Sequence, residues 1–152
     1  NNSLLMHLRN TSINGIEADV TFDTGAGVNI ISDSLALKYK LIPLDASSTV
    51  GGVDIQNGSY AIAKELKIGD IIVSDVPFYV INITTNNEEA DKFIDCFSIV
   101  VGSELMLQLK DLTIDFANNE IIIASSNRVP ILYRFYAFNS LRNVGKFLDQ
   151  EF

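Results

Sequence analysis

The sequence predicts a mainly β protein with one or two short helices, and three observations on its 152 residues lead there. Runs rich in β-branched and aromatic residues recur along the chain. Pairs such as Asn14-Gly15, Gly51-Gly52, Asn57-Gly58 and Gly69-Asp70 interrupt them at turn-forming positions. Helix-start chemistry stands ahead of two short segments, at Ser32-Asp33-Ser34 and Ser103-Glu104. With 47% apolar and 20% charged residues, the composition fits a globular chain with a sizeable core.

Leu4 to Ile13 and Ile16 to Phe22 read as two strands joined by Asn14-Gly15, a pair suited to the positive φ angles of a type I′ hairpin. The second strand delivers the chain to Asp23-Thr24-Gly25, and Val28 to Ile31 leaves as another strand, so one carboxylate sits at a tight turn between two apolar strands. A short helix follows over Leu35 to Tyr39, and Pro43 stops it. Tyr60 to Ile68 alternates imperfectly, placing Tyr60, Ile62, Leu66 and Ile68 on one face. Ile71 to Val73 and Val76 to Ile83 are core strands with a break or an edge at Pro77.

Thr84 to Asp95 is polar and acidic, a solvated loop lacking the ligand spacing and central glycine of a calcium-binding hand. Ile99-Val100-Val101-Gly102 reads as a buried strand, and Ser103 to Leu109 as a short helix capped by Ser103. A hairpin over Leu112 to Phe116 and Glu120 to Ala124 turns at Ala117-Asn118-Asn119. Residues 1–126 are expected to form the main domain. Residues 127–152 read as a C-terminal extension: a strand at Pro130 to Phe138, then Phe138, Leu141, Val144 or Gly145, and Leu148 near helical spacing.

The net charge of −8 divides unevenly, with seven basic and 17 acidic side chains in residues 1–126 and four basic and two acidic in 127–152. An acidic body repels phosphates, so no nucleic-acid partner is expected. No run of 18 apolar residues and no charged leader ahead of an apolar segment is present, so neither a membrane span nor a signal peptide is expected. The chain opens Asn1-Asn2-Ser3 with no initiator Met, which fits removal of an upstream segment, as in an exported protein. Cys96 and His7 are the only cysteine and histidine, which excludes an intrachain disulfide and a His/Cys zinc cluster. His7 is the sole base available to a serine or cysteine nucleophile. No metal and no cofactor is expected.

Asp-Thr-Gly preceded by an apolar strand, followed by Gly27-Val28, and answered about eighty residues later by Val100-Val101-Gly102 resembles the retropepsin-like aspartic proteases over roughly residues 4 to 124. The resemblance implies a closed acid-protease β-barrel and a peptide or protein substrate. It implies Asp23 as catalytic carboxylate, Thr24 as the hydroxyl bracing two such loops across a dimer axis, and Gly25 as the turn residue allowing close approach. Ala26, Gly27, Val28, Val100 and Val101 would contact substrate, as would Gly51, Gly52 and Val53 in a flap. Leu112 to Phe116 resembles the terminal strand through which viral subunits interleave. Viral relatives carry acidic residues where this chain has Gly27 and Val28, and Gly-Arg-Asn or Gly-Arg-Asp where it has Gly102-Ser103-Glu104, which removes an expected ion pair.

Peptide hydrolysis by this route needs one carboxylate to accept a proton from water and one neutral carboxyl to donate. Two ionised carboxylates about 3 Å apart repel by ~5 kcal/mol at an effective dielectric near 20, so such a pair retains one proton. With a single Asp-Thr-Gly, the second carboxyl is expected from a symmetric partner, making the protein an endopeptidase as a homodimer. Ala26 has no side-chain donor for the carboxylate, so an optimum in mild acid is expected. Two other readings keep the fold: an inactive dimerisation or peptide-binding module, and one lobe of a longer two-lobed protease.

Overall fold

The computed structural model describes residues 2–44, 58–81, 98–137 and 147–148. In order these form β1 (Asn2–Leu8), β2 (Thr11–Ile13), β3 (Ile16–Glu17), β4 (Val20–Phe22), β5 (Ile30–Ser32), α1 (Asp33–Lys38), β6 (Ile42–Pro43) and β7 (Tyr60–Ile68). There follow β8 (Ile71–Ile81), β9 (Ile99–Val101), α2 (Ser103–Met106), β10 (Thr113–Asp115), β11 (Glu120–Ile123), β12 (Asn127–Ala137) and β13 (Phe147–Leu148). The strands make one curled sheet in the order β10-β11-β12-β1-β4-β9-β5-β8-β7-β2-β3, with β13 on β12 and β6 on β7.

Asn14 and Gly15 both take positive φ, 50° and 79°, so the β2–β3 turn has the hand expected of that pair. Each long run flanking it is divided. Asn10 at φ 56° separates β1 from β2, and Ala18-Asp19 separates β3 from β4. The division lets β2 pair with β7 while β1 and β4 pair with β12 and β9, which turns the sheet around a single core.

The β7–β8 ribbon departs from the expected faces. Ala61, Ala63, Leu66 and Ile68 are buried, so Tyr60 and Ile62 lie on the opposite face from the one assigned by simple alternation. The phase changes opposite Asp75, whose φ of 54° swaps the side that β8 offers the core, and Lys64 Nζ meets the Asp75 carboxylate at 3.1 Å there. Pro77 does not break β8, which runs unbroken from Ile71 to Ile81; pairing with β5 starts beyond it, at Tyr79. Proline is tolerated where no neighbour asks for its N–H.

The core gathers Phe22, Ile31, Ala36, Phe78, Val80, Val101 and Leu105 with Ile121, Ile123, Val129 and Ile131. The last two belong to β12, so the stretch that the sequence sets apart as an extension begins as a strand between β11 and β1. Leu148 is in β13, paired with β12, rather than on a helix; Phe138, Leu141 and Val144 lie outside the described residues, as do the acidic loop and Cys96.

Ser32 caps α1 as expected, its hydroxyl accepting from Leu35 N. At α2 the cap position falls to Gly102 instead of Ser103, and the regular helix is one turn long.

Candidate active site

Strand β4 pairs in parallel with β9, and Asp23 extends that pairing by donating its N–H to Val101 O at 3.0 Å. The chain then turns at once: Ala26 N donates to Asp23 O at 3.2 Å, and Gly25 N donates to Asp23 Oδ1 at 2.8 Å. A Cβ on Gly25 would lie 3.2 Å from that same oxygen, so a side chain there would ask the carboxylate to give by a few tenths of an ångström. Asp23, Thr24 and Gly25 are exposed.

A second layer holds the loop from behind. Ser103 N donates to Ala26 O at 2.8 Å, and a Cβ on Gly102 would fall 2.4 Å from that oxygen, so glycine is required for α2 to approach this closely. The Ser103 hydroxyl, expected to cap α2, donates instead to Gly27 O at 3.0 Å. Gly27 has nothing within 4 Å of where a Cβ would stand, so space is open above it.

Two residues that the sequence did not assign to the site complete this clamp. Asn29 is fully buried; its Oδ1 accepts from Gly102 N at 2.9 Å and its Nδ2 donates to Pro77 O at 3.0 Å. Its own N–H donates to Glu104 Oε2 at 3.2 Å, so Glu104 serves the loop as well as the start of α2. The available signal was a lone amide between Val28 and Ile30: a polar side chain in an apolar strand must find partners when buried.

The expected substrate-contacting residues divide. Val100 is buried, at 6% exposure, but lies in register with Thr21 and Ile30, on the side of β4 that leads to Asp23. Val101 pairs with Phe22 and is fully buried in the core, reaching the loop through its carbonyl. Ala26 and Val28 are half-buried and Gly27 is exposed, while Gly51, Gly52 and Val53 lie outside the described residues. His7 is buried, with Nδ1 at 2.9 Å from Asp19 Oδ1 and 3.5 Å from Thr21 Oγ1. Thr21 is itself buried, so this trio has no nucleophile open to a substrate. Among the described residues, no group of three His, Cys, Asp or Glu side chains is placed to hold a metal, and no helix is long and apolar enough to cross a membrane.

Residues 10–105, the span holding this clamp, match the sequence profile of the aspartyl protease family. The chain belongs to that family. Its fold is similar to the retroviral protease-like domain of Ddi1 from Leishmania major, with a TM-score of 0.56 and 16% identity over 86% of this chain and 92% of that one. A retropepsin-like aspartic protease from Rickettsia conorii also aligns, with a TM-score of 0.47 and 14% identity over 86% of this chain and 93% of that one. Comparison with curated proteins by sequence finds no match. This aspartyl protease-family chain thus has the retropepsin-like fold that its Asp-Thr-Gly and Val-Val-Gly segments imply.

Proposed function

We propose that the chain is an aspartic endopeptidase that works as a homodimer, with Asp23 of each copy supplying one carboxyl of the catalytic pair. The observation that carries this reading is the Asp23 carboxylate itself. It stands exposed on a loop clamped by β9, α2 and β8, with Oδ1 fixed by Gly25 N and Oδ2 left for chemistry. Rigid presentation of a reactive group at a solvent-facing turn is what a preorganised site requires.

In the paired site the two carboxyls share one proton. The ionised Asp23 takes a proton from a water held between them, and that water attacks the peptide carbonyl carbon. The neutral Asp23 gives its proton to the carbonyl oxygen, producing a tetrahedral diol. Return of a proton to the amide nitrogen then breaks the C–N bond and releases an acid and an amine. Thr24, next to Asp23 and exposed, is the group that meets its counterpart across the dimer axis.

The sheet order supports a place for the second copy. Strand β1 pairs with β12 along its whole length and with β4 over Met6–Leu8. Among the described residues β10 is bonded on one side only, to β11, and is followed by Phe116 at 68% exposure. An open edge strand with an exposed aromatic residue is a template for pairing with its own copy. These features support β10 as the strand through which the proposed dimer pairs.

Incubating the protein with an unstructured substrate between about pH 4 and pH 7, beside Asp23→Asn, tests the proposal. Cleavage should fall by at least about 10²-fold in the variant, the scale of a lost acid–base group, and sedimentation should give a dimer. Undiminished cleavage by Asp23→Asn would remove the mechanism, and a monomer at high concentration would remove the self-contained site.

A further inference from the structure

The β2–β3 turn does more than reverse the chain. Asn14 is half-buried, and its side-chain amide reaches two other segments. Nδ2 donates to Tyr39 O at 2.7 Å and to Lys40 O at 3.3 Å, while Oδ1 accepts from Glu65 N at 3.0 Å. The backbone adds a fourth bond, Asn14 N donating to Glu65 O at 2.9 Å. Tyr39 and Lys40 stand at the C-terminal end of α1, where helical carbonyls have no partner within the helix. One amide thus closes the end of a helix and pins the hairpin to β7.

The same residue is followed by glycine, and that pairing carries chemistry. Gly15 has no Cβ to screen its backbone nitrogen from the preceding side-chain carbonyl. It is exposed, with nothing within 4 Å of where a Cβ would stand. When Gly15 N attacks Asn14 Cγ, a new N–Cγ bond closes a five-membered succinimide. The Cγ–Nδ2 bond breaks, and Nδ2 leaves as ammonia with the proton from Gly15 N. Water then opens the ring at either carbonyl, giving aspartate or isoaspartate. The nitrogen expelled is the one that bonds Tyr39 O and Lys40 O, so the contact and the reaction exclude each other.

We infer that Asn14 is a modification site, a slow deamidation whose rate the fold sets and whose product loosens α1 from the β2–β3 hairpin. In the closed hairpin three side-chain hydrogen bonds are given up before the ring forms. Where the hairpin opens, that restraint is gone. The carboxylate produced has no N–H to offer and stands against two carbonyl oxygens that it repels. Isoaspartate also lengthens the main chain by one atom, which upsets the pairing of Ile13 with Ile16 across the turn. Each copy that has reacted therefore carries a lasting mark at the end of α1.

The test holds the wild type in mildly alkaline buffer for several days, folded and in urea, and maps its peptides by mass spectrometry. Conversion at Asn14 should be at least about tenfold slower in the fold, the factor expected when hydrogen bonds are surrendered first. Asn14→Asp, which has the sequence of one product, should melt about 5 °C below the wild type. Its amide exchange should quicken at Tyr39, Lys40 and Leu41, whose N–H groups close α1. Wild type aged until partly converted gives the same exchange readout without a substitution. Equal rates in the fold and in urea would overturn the inference, since the contacts would then not govern the reaction. So would aged protein whose exchange at Tyr39 to Leu41 is unchanged, since the product would then loosen nothing. Neither measurement uses cleavage, so the outcome is independent of the protease reading.

Discussion

Two turns in this chain start from an aspartate in the same way and end with different chemistry. At Asp23 the carboxylate accepts from the backbone N–H two residues on, Gly25, at 2.8 Å; at Asp115 it accepts from Ala117 N at 3.1 Å. Asp115 goes further, taking Asn118 N at 3.1 Å on the same oxygen and the Asn118 side-chain amide at 2.8 Å on the other. The β10–β11 turn thus consumes both oxygens of its aspartate, and the β4 turn consumes one. What the second turn lacks in local bonds it receives from distant segments, through Val101, Ser103 and Asn29. An aspartate turn is structural when its bonds close within a few residues, and available for chemistry when the backbone is held by tertiary contacts and an oxygen is left over.

The sharpest way to break this contrast is through the amide that secures each turn. Replacing Asn29 by Leu keeps the branching at Cγ but leaves Gly102 N and Pro77 O without a partner in the interior. An unsatisfied buried group costs ~1–3 kcal/mol, so the pair should lower stability by about 3 kcal/mol, or roughly 8 °C in Tm for a chain of this size. Asn118→Ala, at an exposed turn, should stay within about 0.5 kcal/mol. Denaturant unfolding of the two variants checks this, and equal losses would mean that the Asp23 turn is no more tertiary than the other.

Much of the scaffold was legible in the sequence because its signals are local. Asn14-Gly15 specifies its own turn, Ser32 caps its own helix, and Asp-Thr-Gly with Val-Val-Gly marks the segments that meet. Features that depend on which residue lies opposite were not legible. The face change at Asp75 needs a positive φ at a residue that does not demand one, and it moved Tyr60 and Ile62 away from Leu66 and Ile68. Ser103 has the chemistry of a cap, yet its hydroxyl goes to Gly27 because α2 is pressed against Ala26. The pairing of Tyr60 with Tyr79 arises from β7–β8 register, which no spacing within either strand encodes.

Gly25 and Ala117 hold the same place in the two turns, and exchanging their character sharpens the comparison at smaller scale. A methyl at Gly25 would stand 3.2 Å from the Asp23 oxygen and shift the carboxylate by a few tenths of an ångström against its N–H. Gly25→Ala should therefore leave Tm within about 3 °C yet reduce cleavage by about 10²-fold, because a carboxyl displaced by a fraction of an ångström no longer meets its partner. Ala117 already carries its methyl beside Asp115, and Ala117→Gly should change neither quantity measurably. Parallel melting curves and cleavage assays separate the two outcomes; activity retained in Gly25→Ala would show that the close approach is not needed.

The smallest effect is electrostatic and belongs to Asp115. The hydrogen bond from the Asn118 side chain, and then that from Asn118 N, hold its carboxyl below the usual value of 3.8, with smaller help from Ala117 N and from Arg128. Because the folded state favours the ionised form, the turn's contribution to stability is fully present above the unfolded value of 3.8 and is lost as pH falls through the lower folded value. Asp115→Ala should therefore melt below the wild type by a small, constant margin from neutral pH down to about pH 5, and the two curves should converge in stronger acid. Solvent beside this half-buried carboxyl keeps the margin small and sensitive to salt, so adding salt should narrow it at neutral pH. A margin that widens on acidification would mean that the protonated form is the one the Asn118 bonds prefer, and that the two aspartate turns differ in something other than how many carboxylate oxygens they bind.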